Sequence, residues 1–203
     1  MKNRTLAWTL FMLVITAATL YFHTHHQPRE SKPADNSLIL LSPPDENQNA
    51  LVYLDAANGY QGLAVYEFAP DDRPQVGEIY PVDFNGEMTR SQPPKIIGQV
   101  GTLFEAQTAV LNLPFKDIHT LLAYDSDVQI LDVRTEEEYN SGHWPDAILL
   151  PLSEIRLGHH DGLDRSKPLY VYCRSGNRST QAIEILQKEG FPLLVNLGGL
   201  ELD

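Results

Sequence analysis

The sequence predicts an α/β fold, a mainly parallel sheet flanked by helices, preceded by a small β-rich region and an N-terminal transmembrane helix. From about residue 115 onward, buried-type apolar runs alternate with helix-forming runs. Ahead of them, shorter apolar runs are separated by Pro, Gly, Asn and Asp. At the N-terminus, an uncharged apolar stretch follows two basic residues.

Lys2 and Arg4 precede the uncharged run from Leu6 to Phe22. As a helix this run measures about 25 Å, near the lower limit for a bilayer core of about 30 Å. Basic residues on the near side leave the N-terminus in the cytoplasm and the rest of the chain outside. Residues 1–26 are therefore expected to form a membrane anchor, with the remainder on the periplasmic side. Small residues at Thr16-Ala17-Ala18 keep open a cleaved signal segment and secretion to the periplasm. His23, His25 and His26 are too loosely spaced, and too far from other ligands, to predict a metal site. Residues 27–37, with Pro28, Pro33 and mixed charges, read as a linker.

Residues 38–113 carry apolar runs at 38–41, 51–54, 63–68, 96–100 and 109–113. Ser42-Pro43-Pro44-Asp45, Asn58-Gly59 and Asn85-Gly86 supply turns between them, so short strands are expected. A packing or spacer role and a partner-recognition role both remain open for this region, and any protein partner is unspecified.

Residues 114–203 show the α/β alternation. Residues 128–133 read as a buried strand, followed by a polar helical turn at 136–139. Residues 147–150 read as a strand closed by Pro151, and Leu169-Tyr170-Val171-Tyr172-Cys173 as another. After a small-residue loop, Ala182, Ile183, Ile185 and Leu186 form one apolar stripe of a helix. Lys188 and Gly190 mark its end. Residues 192–197 give the last strand, ending at Gly198-Gly199.

The loop after Cys173 is the most informative segment. A strand delivers the only cysteine of the chain to Arg174-Ser175-Gly176-Asn177-Arg178, and a helix starts directly after. Thiols at helix N-termini meet unpaired N–H groups and the positive end of the helix dipole, which favour the thiolate. Active groups in parallel sheets sit at the carboxyl ends of strands. The expected chemistry is that of a cysteine nucleophile acting on an anion, and it requires a reachable sulfur. A side chain sealed in the interior would overturn it.

Asp132-Val133-Arg134, Glu138-Tyr139, Gly142-His143-Trp144-Pro145 and Cys173-Arg-Ser-Gly-Asn-Arg178 occur in an order that resembles a single-domain rhodanese, over roughly residues 115–203. The resemblance implies a sulfurtransferase. Cys173 would take a sulfane sulfur from a small anionic donor such as thiosulfate and hold it as a persulfide. A thiophilic acceptor such as cyanide or a thiol would then receive it. Arg174, Ser175, Gly176, Asn177 and Arg178 would form the substrate cradle, and no cofactor or metal is implied. A rhodanese-like module that binds without turnover is the alternative. Cysteine-dependent phosphatases and arsenate reductases of this kind place one more residue between cysteine and arginine. That spacing falls here on Ser179, which carries no guanidinium.

Asp132 and Arg134 read as a structural ion pair at a strand end, and His143 as a hydrogen-bonded turn residue rather than a base. The family usually continues past the double glycine into a closing helix. Here only Leu200-Glu201-Leu202-Asp203 follow, so that helix is missing or another part of the chain covers the core. The formal charge of −12 argues against nucleic acid as a partner. It also leaves anion capture to the local positive loop, within a screening length of about 8 Å.

Overall fold

In the computed structural model, residues 36–57, 59–100 and 108–200 are described, and they build two five-stranded sheets. The expected anchor, the histidine trio and nearly all of the linker lie outside these residues. Among the described residues no helix is long and apolar enough to cross a membrane.

The first sheet contains β1 (Asn36–Leu40), β2 (Asn49–Ala56), β3 (Gln61–Glu67), β4 (Ile79–Met88) and β5 (Ile96–Val100), in the order β3-β2-β1-β4-β5. All its ladders are antiparallel. A parallel bridge between Val65 and Lys95 links the two edge strands, with the Val65 N–H donating to Pro94 O at 2.8 Å. The sheet thus curls into a partly open five-stranded barrel. Leu38, Leu40, Val52, Leu54, Ala64, Val82 and Phe84 fill its interior. The alternate residues Ile39, Leu51, Tyr53 and Leu63 point outward, the period-two consequence of the pleat.

Sequence patterning missed β4. Asn85-Gly86, expected as a turn, lies within that strand, where Gly86 takes φ +93° and the register with β5 shifts between Phe84 and Met88. A glycine in the left-handed region inside a strand marks a bulge as readily as a turn.

The second sheet is parallel throughout, in the order β6-β10-β9-β7-β8. Its strands are β6 (Ala109–Asn112), β7 (Gln129–Asp132), β8 (Ile148–Leu149), β9 (Leu169–Cys173) and β10 (Leu193–Gly199). The run at 109–113, assigned from sequence to the β-rich region, instead supplies an edge strand here. Its apolar alternation fits either sheet, and only the parallel register of Leu193–Asn196 against Ala109–Asn112 decides.

Helix α1 (Ile118–Tyr124), entered through a 3-10 turn at Phe115–Asp117, covers one face of the second sheet. Helices α3 (Leu152–Arg156) and α4 (Asn177–Leu186) cover the other. Helix α2 (Glu136–Asn140) sits beyond β7 and opens with a Thr135–Glu138 capping box. Along β9, Leu169, Val171 and Cys173 face α3 and α4, while Tyr170 and Tyr172 face α1. The barrel contributes to the α1 side as well. Leu41 and Leu51 join Ile118, Leu121, Tyr170 and Leu193 in one core, so another part of the chain does help cover this sheet. Gly77 tightens the seam: a Cβ there would stand 1.9 Å from Pro192 O, and its φ is +90°.

Candidate active site

Strand β9 ends at Cys173 because the next residues leave the ladder and turn into α4. Gly176 caps that helix in the left-handed conformation, φ +89° and ψ −21°, which a residue without Cβ adopts without strain. This turn aims the first N–H groups of α4 back at the sulfur. The Gly176 N–H donates to Cys173 Sγ at 3.1 Å, and the Cys173 thiol lies 3.8 Å from Ser179 Oγ. Ser179 Oγ in turn donates to Gly176 O at 2.9 Å, bracing the loop across its own turn.

Burial pushes the Cys173 thiol up. The N–H groups of Ser175 and Ser179, the Ser179 hydroxyl and the Gly176 N–H outweigh that effect and leave it below the usual thiol value. The arrangement is an anion cradle built chiefly from backbone.

Cys173 is 0 % exposed, which corrects the expectation of an open sulfur. The side chain packs on the α3–α4 face of the sheet, with its sulfur against the Gly176 N–H of the loop. Arg174, Ser175 and Asn177 form the exposed outer surface of that loop.

The predicted cradle residues divide. Ser175 and Gly176 present N–H groups to the sulfur. Asn177 turns away, its Oδ1 accepting from Gln181 Nε2 at 2.8 Å along the helix. Arg174 is exposed at the rim of a cavity of about 470 Å³ lined also by Asn112, Phe115, Asn196 and Gly199. Arg178, expected to hold the donor anion, has its guanidinium fork engaged by Glu138: Nη1 to Oε2 at 2.6 Å and Nη2 to Oε1 at 2.7 Å. The pair holds Glu138 at about 2, chiefly through Arg178, with burial opposing and the Thr135 N–H and hydroxyl adding to the effect.

Glu138 and Ser179 were not predicted to act at the site. The acidic residue opening a helix after a strand was visible in sequence, but its pairing with Arg178 spans 40 positions and had no local signal. Gly198-Gly199, read only as a strand end, also shape the loop. A Cβ on Gly199 would stand 2.8 Å from Arg174 O and 3.3 Å from Ser175 Cα. The Leu200 N–H donates to Cys173 O at 2.7 Å, fixing β10 beneath the loop.

Asp132 and Arg134 form the buried pair expected of them, Arg134 Nη2 to Asp132 Oδ2 at 2.6 Å and Nε to Oδ1 at 2.9 Å. Arg134 also donates to Gly142 O at 2.7 Å, which fixes the turn ahead of β8. His143 stacks on Tyr139 at 3.7 Å, and its Nδ1 lies 3.0 Å from Tyr139 O, a turn residue as expected. Among the described residues no group of three or more His, Cys, Asp or Glu side chains is placed to hold a metal ion.

The rhodanese-like domain family matches residues 116–202. The chain is 37% identical over 78 residues to a sulfurtransferase of Allochromatium vinosum, covering 38% of this chain and 72% of that protein. It is 38% identical over 72 residues to the thiosulfate sulfurtransferase PspE of Escherichia coli, covering 35% of this chain and 69% of that one. It is 36% identical over 73 residues to YrkF of Bacillus subtilis, covering 36% of this chain but only 39% of that protein.

Proposed function

The chain belongs to the rhodanese family, and from that premise we propose that it is a sulfurtransferase working through a Cys173 persulfide. The observation that carries the proposal is the Gly176 N–H at 3.1 Å from Sγ, within a loop whose donors hold the thiol below its ordinary value despite burial. A cysteine sealed among apolar side chains alone would be shifted the other way.

With thiosulfate as donor, the Cys173 thiolate attacks the outer sulfur. The new bond joins Sγ to that sulfur, and the old sulfur–sulfur bond breaks with its electron pair leaving on sulfite. A thiophilic acceptor, cyanide or a thiolate, then attacks the terminal sulfur and returns the electron pair to Sγ. The donors around Sγ favour the thiolate as the attacking species, so the step relies on no separate general base. The N–H groups of Ser175, Gly176 and Ser179 stabilise the anion at both ends of the cycle. Because Cys173 is fully buried, donor and acceptor can reach the sulfur only if the residues around it move.

A non-catalytic module is the second reading, and the 0 % exposure of Cys173 is what favours it. The discriminating experiment is a thiosulfate-to-cyanide assay with Cys173→Ser as control, together with intact-mass analysis after donor treatment. Turnover, and one added sulfur on wild type but not on the variant, supports the sulfurtransferase. Neither turnover nor loading with several donors supports the module.

We further propose that the unit acts on the periplasmic side of a bacterial membrane, anchored by the Leu6 to Phe22 run or released after its cleavage. The order of Lys2 and Arg4 ahead of that run supports this. N-terminal sequencing of the mature protein and protease accessibility in spheroplasts check it.

A further inference from the structure

Two arginines follow the sulfur in sequence, yet they stand in different electrostatic states. Both nitrogens of the Arg178 fork face the two oxygens of Glu138, at 2.6 and 2.7 Å. That is the bidentate geometry in which a guanidinium is best satisfied by a carboxylate. Glu138 is itself held in place, because its Oε2 accepts from the Thr135 N–H at 3.0 Å and the Thr135 hydroxyl at 3.1 Å. The carboxylate is therefore held by Thr135 at the start of α2 as well as by Arg178.

We propose that Glu138 is a positioning residue that offsets the charge of Arg178 beside Cys173, so that backbone N–H groups, more than the guanidinium, set the ionisation of the sulfur. This rests on the sulfurtransferase reading for its purpose but not for its measurement. Arg178 sits between Gly176, whose N–H is 3.1 Å from Sγ, and Ser179, whose Oγ is 3.8 Å from it. Glu138 chiefly, and the sulfur through charge and hydrogen bonding, raise the arginine's pKa. An unpaired cation there would deepen the thiolate well and make the nucleophile less reactive. It would also offer a tetrahedral dianion the charged fork it needs. With Glu138 in place the site stays nearly neutral apart from the exposed Arg174. On the adjoining strand β7, Asp132 and Arg134 already neutralise each other. On α3, Glu154 pairs with His159 and Arg156 bonds Gln181 of α4. The core-facing side chains of β10 are uncharged.

The test uses the full chain and the ultraviolet absorbance of the thiolate as pH is varied, with Cys173→Ser subtracted to remove the tyrosines. Glu138→Gln should lower the Cys173 midpoint by about one pH unit, the effect of a bare cation nearby. Glu138→Asp, which keeps the charge, should leave it within about 0.3 unit of wild type. Arg178→Gln should raise it, because a lone carboxylate then faces the sulfur. The double variant Glu138→Gln/Arg178→Gln should return it close to the wild-type value. That double variant also leaves neither charge unpaired, so it carries the test if Glu138→Gln folds poorly. An unchanged or higher midpoint in Glu138→Gln, or a double variant that fails to return, overturns the proposal. Thiolate absorbance needs no substrate. Failure to load sulfur would therefore refute the enzymatic reading and leave this one standing.

Discussion

Gly199→Ala tests whether the double glycine sets the chemistry of the loop from below. The added Cβ would stand 2.8 Å from Arg174 O and 3.3 Å from Ser175 Cα, both backbone atoms that no rotamer change can move. Carbon contacts are comfortable at about 3.5–4.0 Å, so a shift on the order of 0.5 Å is required. Strand β10 cannot supply it easily, since it is paired to β6 and β9 and tied to Cys173 O through the Leu200 N–H. The loop must rise. Overpacking of this kind destabilises by about 1–3 kcal/mol. Lifting the Gly176 N–H from its 3.1 Å position weakens a bond to a charged acceptor. Such bonds contribute about 1.5–3 kcal/mol, so the Cys173 midpoint should rise by roughly one pH unit or more. Urea unfolding reads the first effect and thiolate absorbance the second. A variant within about 0.5 kcal/mol of wild type with an unmoved midpoint would refute the reasoning.

Gly77→Ala should destabilise by about 2–4 kcal/mol, because its Cβ would collide with Pro192 O at 1.9 Å on a backbone of positive φ. Hydrogen exchange should show the loss on both sides of the seam, in the barrel and around β10. Ser179→Ala removes the hydroxyl that donates to Gly176 O and so braces the loop presenting N–H groups to the sulfur; alkylation of Cys173 should need a higher pH than in wild type. The Glu138–Arg178 pair should contribute stability fully above about pH 4.5, the ordinary value for a glutamate, and lose it as pH falls through about 2. A wild-type acid-unfolding curve that shows this loss, and a Glu138→Gln curve that lacks it, is the expected result.

The second sheet was legible because each buried strand announced itself. Residues 169–173 are continuously apolar or aromatic, and the structure buries every one of them. The strand–loop–helix order then placed Cys173 correctly against the start of α4. Legibility failed where pairing is decided at long range. β6 has an alternation that either sheet could use, and its partner β10 is more than 80 residues away in sequence. β4 was hidden by Pro81, Asp83 and Asn85-Gly86, although Val82 and Phe84 alternate inward as a strand requires. At the site, residue types indicated a positive loop, while geometry assigns one of its two arginines to a distant carboxylate. The full burial of Cys173 likewise has no signature in composition.

The seam between barrel and parallel sheet bears on how this molecule can be divided. A fragment beginning at residue 114 would keep every motif around Cys173 but forfeit the β6 edge. It would also bare the patch that Leu41 and Leu51 cover on Ile118, Leu121 and Leu193. Greasy surface of that kind invites self-association. Biochemists trimming the chain to its recognisable part should therefore expect aggregation, and should cut ahead of β1 instead.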